Sequence, residues 1–354
     1  IFRQEAARLS IEVRAPDINK SEAYFACDSA NGAGVIYYAL AAVKNVGRQA
    51  MDHVVAIREA GGPFRSIADF ARRIDPRLVN KRAFESLVKA GAFDGLNRNR
   101  RQLVQSADAV LSEAASQVRD RDAGQESLFG APDPSREVFR LAKIDDWPVH
   151  ERLSEEFAAI GFYLSGHPLD AYAQSLRRLG VTLYADLLAD IRRSSVKATL
   201  AGTVIRRQER RGKSGEPFAF VGLSDPSGMF EVMVFAEALS QARGYLDSGR
   251  SVIVRVVGDW IDDELKLRVV SIEDLDVAAA NAGEGLKIRL NDPTPIPLIA
   301  AQLRQPGRGL VTVVVPGSGP EQEVEIELPK RVLVTPQLKS TLSQLSGVAE
   351  IETV

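Results

Sequence analysis

The chain has 354 residues, 45% hydrophobic and 26% charged, with a formal net charge of -2, which suggests roughly two to four globular units. No apolar run approaches the ~20 residues of a membrane span and no signal-peptide pattern opens the chain. Cys27 is the only cysteine, which excludes a disulfide framework and points to a reducing, cytoplasmic setting. The opening residues, Ile1 to Leu9, read as a helix already under way, so the sequence is expected to be part of a longer protein.

Residues 31–105 hold thirteen Lys and Arg against six Asp and Glu, the footprint of a polyanion partner. Within them Leu40 to Gly47 is followed by an apolar-periodic helix, Ala50 to Ala60. The pattern is helix, tight glycine turn, helix. A turn at Val46-Gly47 presents backbone N–H groups at the next helix's N-terminus, a seat for phosphate. A weaker copy follows from Phe84 through Gly91 to Asp94. These are helix-hairpin-helix patterns, and the candidate duplex-DNA contacts are Lys44, Asn45, Val46, Gly47, Arg48, Lys81, Arg82, Lys89 and Gly91. The alternative is a pair of ordinary αα-hairpins with glycine caps and basic, solvated faces.

Residues 106–150 form a polar, turn-rich linker that contains Gln125, Glu126, Ser127, Leu128 and Phe129. A segment of this composition cannot build a core, so its Leu-Phe tip suits a groove on another protein. The alternative is that Leu128 and Phe129 fold back on a neighbouring helix. Residues 151–191 read as helical, with candidate helices at 151–160 and 169–179 around a turn that contains His167. The other histidines are His53 and His150, and no spacing around the three resembles a metal site. His167, before a proline, reads as a capping or packing residue.

From 196 to 277 the text changes to strands: 196–206, 217–223 and 229–235, a helix at 236–245, then strands at 251–260 and 265–272. This is the order of an OB-fold barrel, a class that binds single strands. Its first loop carries Arg206, Arg207, Arg210, Arg211 and Lys213, with Phe218 and Phe220 on the next strand. These residues are the candidate contacts to single-stranded template DNA, although alternating aromatics are equally the mark of barrel core. Residues 285–354 read as a small α+β unit, with strands at 287–290, 309–315, 323–328, 332–334 and 348–351. Glu321, Glu323, Glu325 and Glu327 share one strand face, which faces solvent or a protein partner and discourages DNA.

The fold expected is multidomain α+β: a helical helix-hairpin-helix region, an OB-fold β-barrel and a small C-terminal α+β domain. No catalytic residues, metal ligands or cofactor site are assigned. Asp145-Asp146 and Asp262-Asp263 read as loop acids without the third carboxylate that two-metal nucleotidyl transfer uses. No phosphate-binding P-loop or nucleophile elbow is present.

In order and motif the chain resembles the C-terminal part of the alpha subunits of bacterial DNA polymerase III, the C-family replicative polymerases. The resemblance is carried by Ala15-Pro16-Asp17-Ile18-Asn19-Lys20-Ser21, Leu40 to Gly47, Gly62-Pro63-Phe64, Asn80-Lys81-Arg82 with Leu87 to Asp94, and Glu155 to Pro168. It is completed by Gln125 to Phe129, similar to that family's sliding-clamp motif. The resemblance implies that residues 1–30 end a fingers region and that the palm, with its metal-binding aspartates and Mg2+, lies N-terminal to Ile1. The complete protein would be a DNA-directed DNA polymerase, this part would not be active alone, and the C-terminal domain would bind the clamp-loader tau subunit. The rival readings are an error-prone alpha-type polymerase, a non-polymerase repair scaffold with hairpins and an OB domain, and a pure protein-interaction platform.

Overall fold

The computed structural model describes residues 6, 9, 11–28, 34–122, 140–190, 196–212, 215–261, 264–282, 285–317 and 323–354. They divide into two compact units, Ile1–Gly166 and His167–Val354. The helical stretch expected at 151–191 is shared between these units.

In the first unit, β1 (Glu12–Arg14), β2 (Ala26–Asp28) and β3 (Val35–Tyr37) form a sheet of order β1-β3-β2. Helices α1 (Arg48–Gly61), α2 (Ile67–Arg73), α3 (Lys81–Lys89), α4 (Arg100–Gln105), α5 (Ala107–Asp122) and α6 (Val149–Ile160) follow. Ser66, Asn80 and Asn99 start α2, α3 and α4 by accepting a hydrogen bond from a first-turn amide, as short polar side chains do at helix N-termini. The core is built on phenylalanine. The Phe70 ring meets Phe64 at 5.1 Å and Phe93 at 4.9 Å, both near-perpendicular, the arrangement that ring quadrupoles favour. Residues 15–21 are built into this same core. The Asn19 side chain accepts from Phe64 N at 2.7 Å and donates to Phe64 O at 2.9 Å, and Ile18 N donates to Ala92 O at 2.7 Å.

The first hairpin differs from expectation. Leu40–Ala42 is a single 3-10 turn, not a helix, and the left-handed residue is Asn45 at φ 64°, not Gly47. Leu40 and Val43 are both buried, so the chain turns once these two have reached the core. Asparagine then takes the left-handed conformation more readily than other residues with a Cβ.

In the second unit, α7 (Ala173–Arg178) and α8 (Tyr184–Asp190) precede a barrel. Its strands are β4 (Val196–Arg211), β5 (Pro217–Asp225), β6 (Gly228–Phe235), β7 (Ser251–Ile261) and β8 (Glu264–Asp274), with α9 (Ala236–Ala242) between β6 and β7. They close in the order β4-β5-β6-β8-β7, the OB-fold expected from the strand pattern. Period-two alternation sends Ala219, Val221, Leu223, Val232 and Val234 inward. The β5–β6 turn also caps α8: Asp225 accepts from Tyr184 N at 2.7 Å and Ser227 from Ala185 N at 3.0 Å.

Beyond α10 (Leu275–Asn281), β9 (Leu286–Leu290), α11 (Ile296–Gln302), β10 (Pro306–Gly309), β11 (Val311–Pro316), β12 (Glu323–Glu327), α12 (Pro336–Ser343) and β13 (Val348–Thr353) complete the chain. The sheet order is β12-β11-β9-β13. The strand expected at 332–334 is reduced to isolated bridges from Val332 to Pro306 and Gly309. Glu323 and Glu325 pair with Arg289 and Lys287 across the sheet, so part of the glutamate face is neutralised within the domain. Glu321 lies outside the described residues.

Candidate nucleic-acid interface

The hairpin region offers one clear phosphate seat. Gly47 caps α1 in extended conformation, no side chain caps it, and its first turn carries no acid. Among the described residues the amides of Arg48, Gln49 and Ala50 meet no acceptor. A helix start of this kind carries partial positive charge. Lys44, Asn45, Gly47 and Arg48 surround it, all exposed, while Val46 is half-buried against the core.

Several of the candidate contacts already have partners. Lys44 donates from its backbone to Ala159 O at 2.9 Å and from Nζ to Ala158 O at 3.0 Å, closing the C-terminus of α6. Asn45 reaches Ser86 on α3 at 3.3 Å, which ties the first turn to the second hairpin. Arg48 lies 3.6 Å from Asp52. Lys81 meets Asp108 at 2.7 Å, a hydrogen bond that raises its pKa, and Lys89 meets Glu155 at 2.8 Å. Arg82 is exposed and has no partner among the described residues.

Gly91 does not face a phosphate. It is buried, at φ 91°, with its amide given to Val88 O at 3.0 Å. A Cβ there would stand 2.3 Å from Arg100 Nη2, so glycine is required both by the turn and by the guanidinium packed on it. Gly91→Ala is expected to destabilise the first unit by more than about 1 kcal/mol, measured as a lower urea midpoint.

Sequence reasoning missed the charge network beneath this surface. Arg100, only 1% exposed, forks onto Asp94 at 2.9 and 2.7 Å, donates to Lys89 O at 2.8 Å and meets Glu156 at 3.1 Å. Glu156 is fully buried and also accepts from Leu164 N at 2.7 Å, Ser165 N at 2.8 Å and Ser165 Oγ at 2.6 Å. Burial, with the Glu156 charge beside it, pushes the Tyr163 hydroxyl up to about 12. Arg58 turns inward too, onto Ser21 O at 2.6 Å, and Arg73 onto Ile57 O at 2.6 Å. Part of the basic excess therefore holds the fold together. Nothing in the sequence marks which cations point inward.

On the barrel, Arg206, Arg207, Arg210 and Arg211 lie on β4 and not in a loop. The strand runs on to Arg211 and pairs with β5 as far as Pro217, because alternating long side chains suit a two-stranded ribbon better than a tight turn. Phe218 and Phe220 point outward, while Ala219 between them and Val221 after them are core. Arg210 lies 5.4 Å from the Phe220 ring centroid, a cation–π contact. Phe218 stacks at 6.3 Å on Phe235, which is 47% exposed. Phe235 was missed, although the same alternation on β6 sends it outward. Arg206 pairs with Glu231 at 3.0 Å, Arg207 donates to Arg243 O at 2.9 Å, and Arg211 donates to Gly215 O at 3.3 Å. The result is an outward aromatic strip on β5 and β6, with Phe218 and Phe220 half-buried and Phe235 exposed, flanked by the arginines of β4.

Gln125, Glu126, Ser127, Leu128, Phe129 and Lys213 lie outside the described residues. His167 caps the turn that follows it. Its Nδ1 accepts from Leu169 N at 3.1 Å, and its Nε2 lies 3.2 Å from Ser224 Oγ. Among the described residues no three His, Cys, Asp or Glu side chains cluster as metal ligands, and no helix is long and apolar enough to cross a membrane.

A helix-hairpin-helix motif model matches residues 10–103, and an OB-fold nucleic acid binding domain model matches 198–275. The DNA polymerase III subunit alpha of Caulobacter vibrioides is 41% identical over 358 residues, covering 100% of this chain and 31% of the relative, in its C-terminal region. The chain belongs to the DNA polymerase III alpha-subunit family. The family's subunit from Vibrio cholerae is 32% identical, covering 98% of this chain and 30% of its own length, and that from Escherichia coli is 31% identical, covering 85% and 26%. The chain thus spans about a third of the length of these alpha subunits. Their match runs through both units and accounts for the order of hairpin, barrel and tail.

Proposed function

We propose that this chain is the DNA-handling and processivity portion of a replicative DNA polymerase. The whole protein would be a DNA-directed DNA polymerase, with Mg2+ held in a palm region. The hairpin turn at Lys44–Arg48, open at the start of α1, supports a sequence-independent grip on duplex phosphates. The outward strip of Phe218, Phe220 and Phe235 with Arg210 supports binding of the single-stranded template. In this reading the pentapeptide Gln125–Phe129 docks on the ring-shaped sliding clamp, with Leu128 and Phe129 as anchors and Gln125 as the polar hook. A tethered polymerase rebinds intramolecularly, so a modest peptide affinity gives long residence on DNA. The C-terminal α+β domain would hold the clamp-loader tau subunit, and the protein would work in the cytoplasm.

The observation that carries the reading is the combination, in one chain of this family, of an acid-free helix start on the hairpin and an aromatic strip on the barrel. The test is binding to the sliding clamp of the same source. Leu128→Ala with Phe129→Ala is expected to abolish clamp binding and to leave duplex affinity and the unfolding midpoint unchanged. Undiminished clamp binding by the double variant would remove the pentapeptide from the proposal. No clamp binding by either protein would favour the error-prone or repair-type alternatives.

A further inference from the structure

The backbone around the hairpin turn brings two large aromatic side chains, Tyr24 and Phe25, to the surface, and Tyr24 is the one in contact with the first residue of α1. Residues 22–23 pair with 40–41, Leu40 N donating to Glu22 O at 3.0 Å and Ala41 N to Ala23 O at 3.2 Å. The next residue, Tyr24, is therefore set against the turn and is 51% exposed. Its ring carries the guanidinium of Arg48, the first residue of α1, 4.6 Å from the ring centroid. Phe25, itself 49% exposed, faces the other way: it meets Tyr38 edge-on at 5.2 Å, and the buried Tyr38 meets Phe162 at 5.7 Å. Tyr24 stays out of that chain of rings.

We propose that Tyr24 is a seat for a deoxyribose of the DNA strand whose phosphate lies at the start of α1. This inference rests on the duplex-grip reading given above. A ligand fitting this surface must offer negative charge to Arg48 and the open amides, and, immediately beside it, an apolar C–H face to the ring. The sugar–phosphate backbone has that alternation at every step. A duplex keeps its bases stacked inside, so the sugar is the apolar surface available next to a gripped phosphate. The Arg48–Asp52 pair, at 3.6 Å with side chains 72% and 51% exposed, is a weak surface contact that leaves the guanidinium available to the ligand. Tyr24 would thus add affinity without reading sequence and without adding a charge.

This absence of charge makes the inference testable with the full chain and two blunt DNA duplexes of unrelated sequence, titrated by fluorescence anisotropy over a range of salt. Tyr24→Ala is expected to weaken binding about 5- to 10-fold at every salt concentration, equally for both duplexes. The slope of log K against log salt should stay unchanged, because no phosphate contact is lost. Tyr24→Phe, which keeps the ring, is expected to bind as the unaltered chain does. Arg48→Ala is expected to reduce the slope by about one. Undiminished binding by Tyr24→Ala would overturn the inference and leave the duplex grip standing. A loss confined to one duplex would overturn it in favour of a base contact. A fall in slope equal to that of Arg48→Ala would overturn it by reducing Tyr24 to a prop for the guanidinium. No duplex binding by the unaltered chain would overturn the grip itself, and the inference with it.

Discussion

Glu156→Ala is expected to lower the unfolding free energy of the first unit by about 3–5 kcal/mol, the cost of breaking a buried ion pair and of leaving several donors without their acceptor. The substitution removes one partner of Arg100 Nη1, which keeps Lys89 O while the rest of the guanidinium keeps Asp94, and it strands the two amides and one hydroxyl of Leu164 and Ser165 from which the carboxylate accepts. The Gly161–Ser165 turn thereby loses its anchor on α6. Glu156→Gln, which keeps an acceptor but not the charge, should fall between the two. Urea unfolding followed by circular dichroism separates the three proteins. A midpoint for Glu156→Ala within error of the unaltered chain would mean that the network is dispensable.

The second large effect is expected on the barrel. Base stacking on an aromatic side chain contributes about 1–3 kcal/mol per base, so Phe218→Ala and Phe220→Ala should each weaken oligothymidine binding by about tenfold or more. Both rings lie outside the barrel core, which is made by Ala219, Val221 and Leu223, so thermal unfolding of the variants should shift little. Val221→Ala gives the reverse pattern, a loss of stability of about 1–2 kcal/mol through a cavity. Unchanged affinity in both phenylalanine variants would return the strip to plain surface.

The barrel was the most legible part of the sequence because each of its strands states its own period. Val196 to Arg206, Pro217 to Leu223 and Met229 to Phe235 alternate, and the Asp225-Pro226-Ser227-Gly228 turn fixes the register between the last two. Alternation also contained the answer to the question left open for Phe218 and Phe220, since a small residue, Ala219, lies between them at an inward position. The ribbon of β4 beyond Arg206 was less legible, because charged residues read as loop until a partner strand is known. One helix start was legible at Thr335, which precedes α12 and caps it, whereas the cap at Asn80 drew no notice. The hairpin turn was placed correctly at the start of α1, but Gly47 drew attention away from Asn45. Arg58, Arg73 and Arg100 were illegible for a different reason. Composition counts a cation wherever it points, and only tertiary packing turns three of them toward carbonyls and carboxylates inside the first unit.

The tail domain's open sheet has a consequence for how the protein behaves at high concentration. Among the described residues its two outermost strands, β12 and β13, leave one backbone edge each without a partner strand, and β12 exposes Val324 and Ile326 at 48% and 43%. A strand of this kind invites a second copy to pair with it. Beyond the paired Glu323 and Glu325, Glu327 on one edge and Glu350 and Glu352 on the other place like charges where two such edges would meet. The carboxylates thereby act as gatekeepers against edge-to-edge aggregation, a protection that strengthens at low ionic strength.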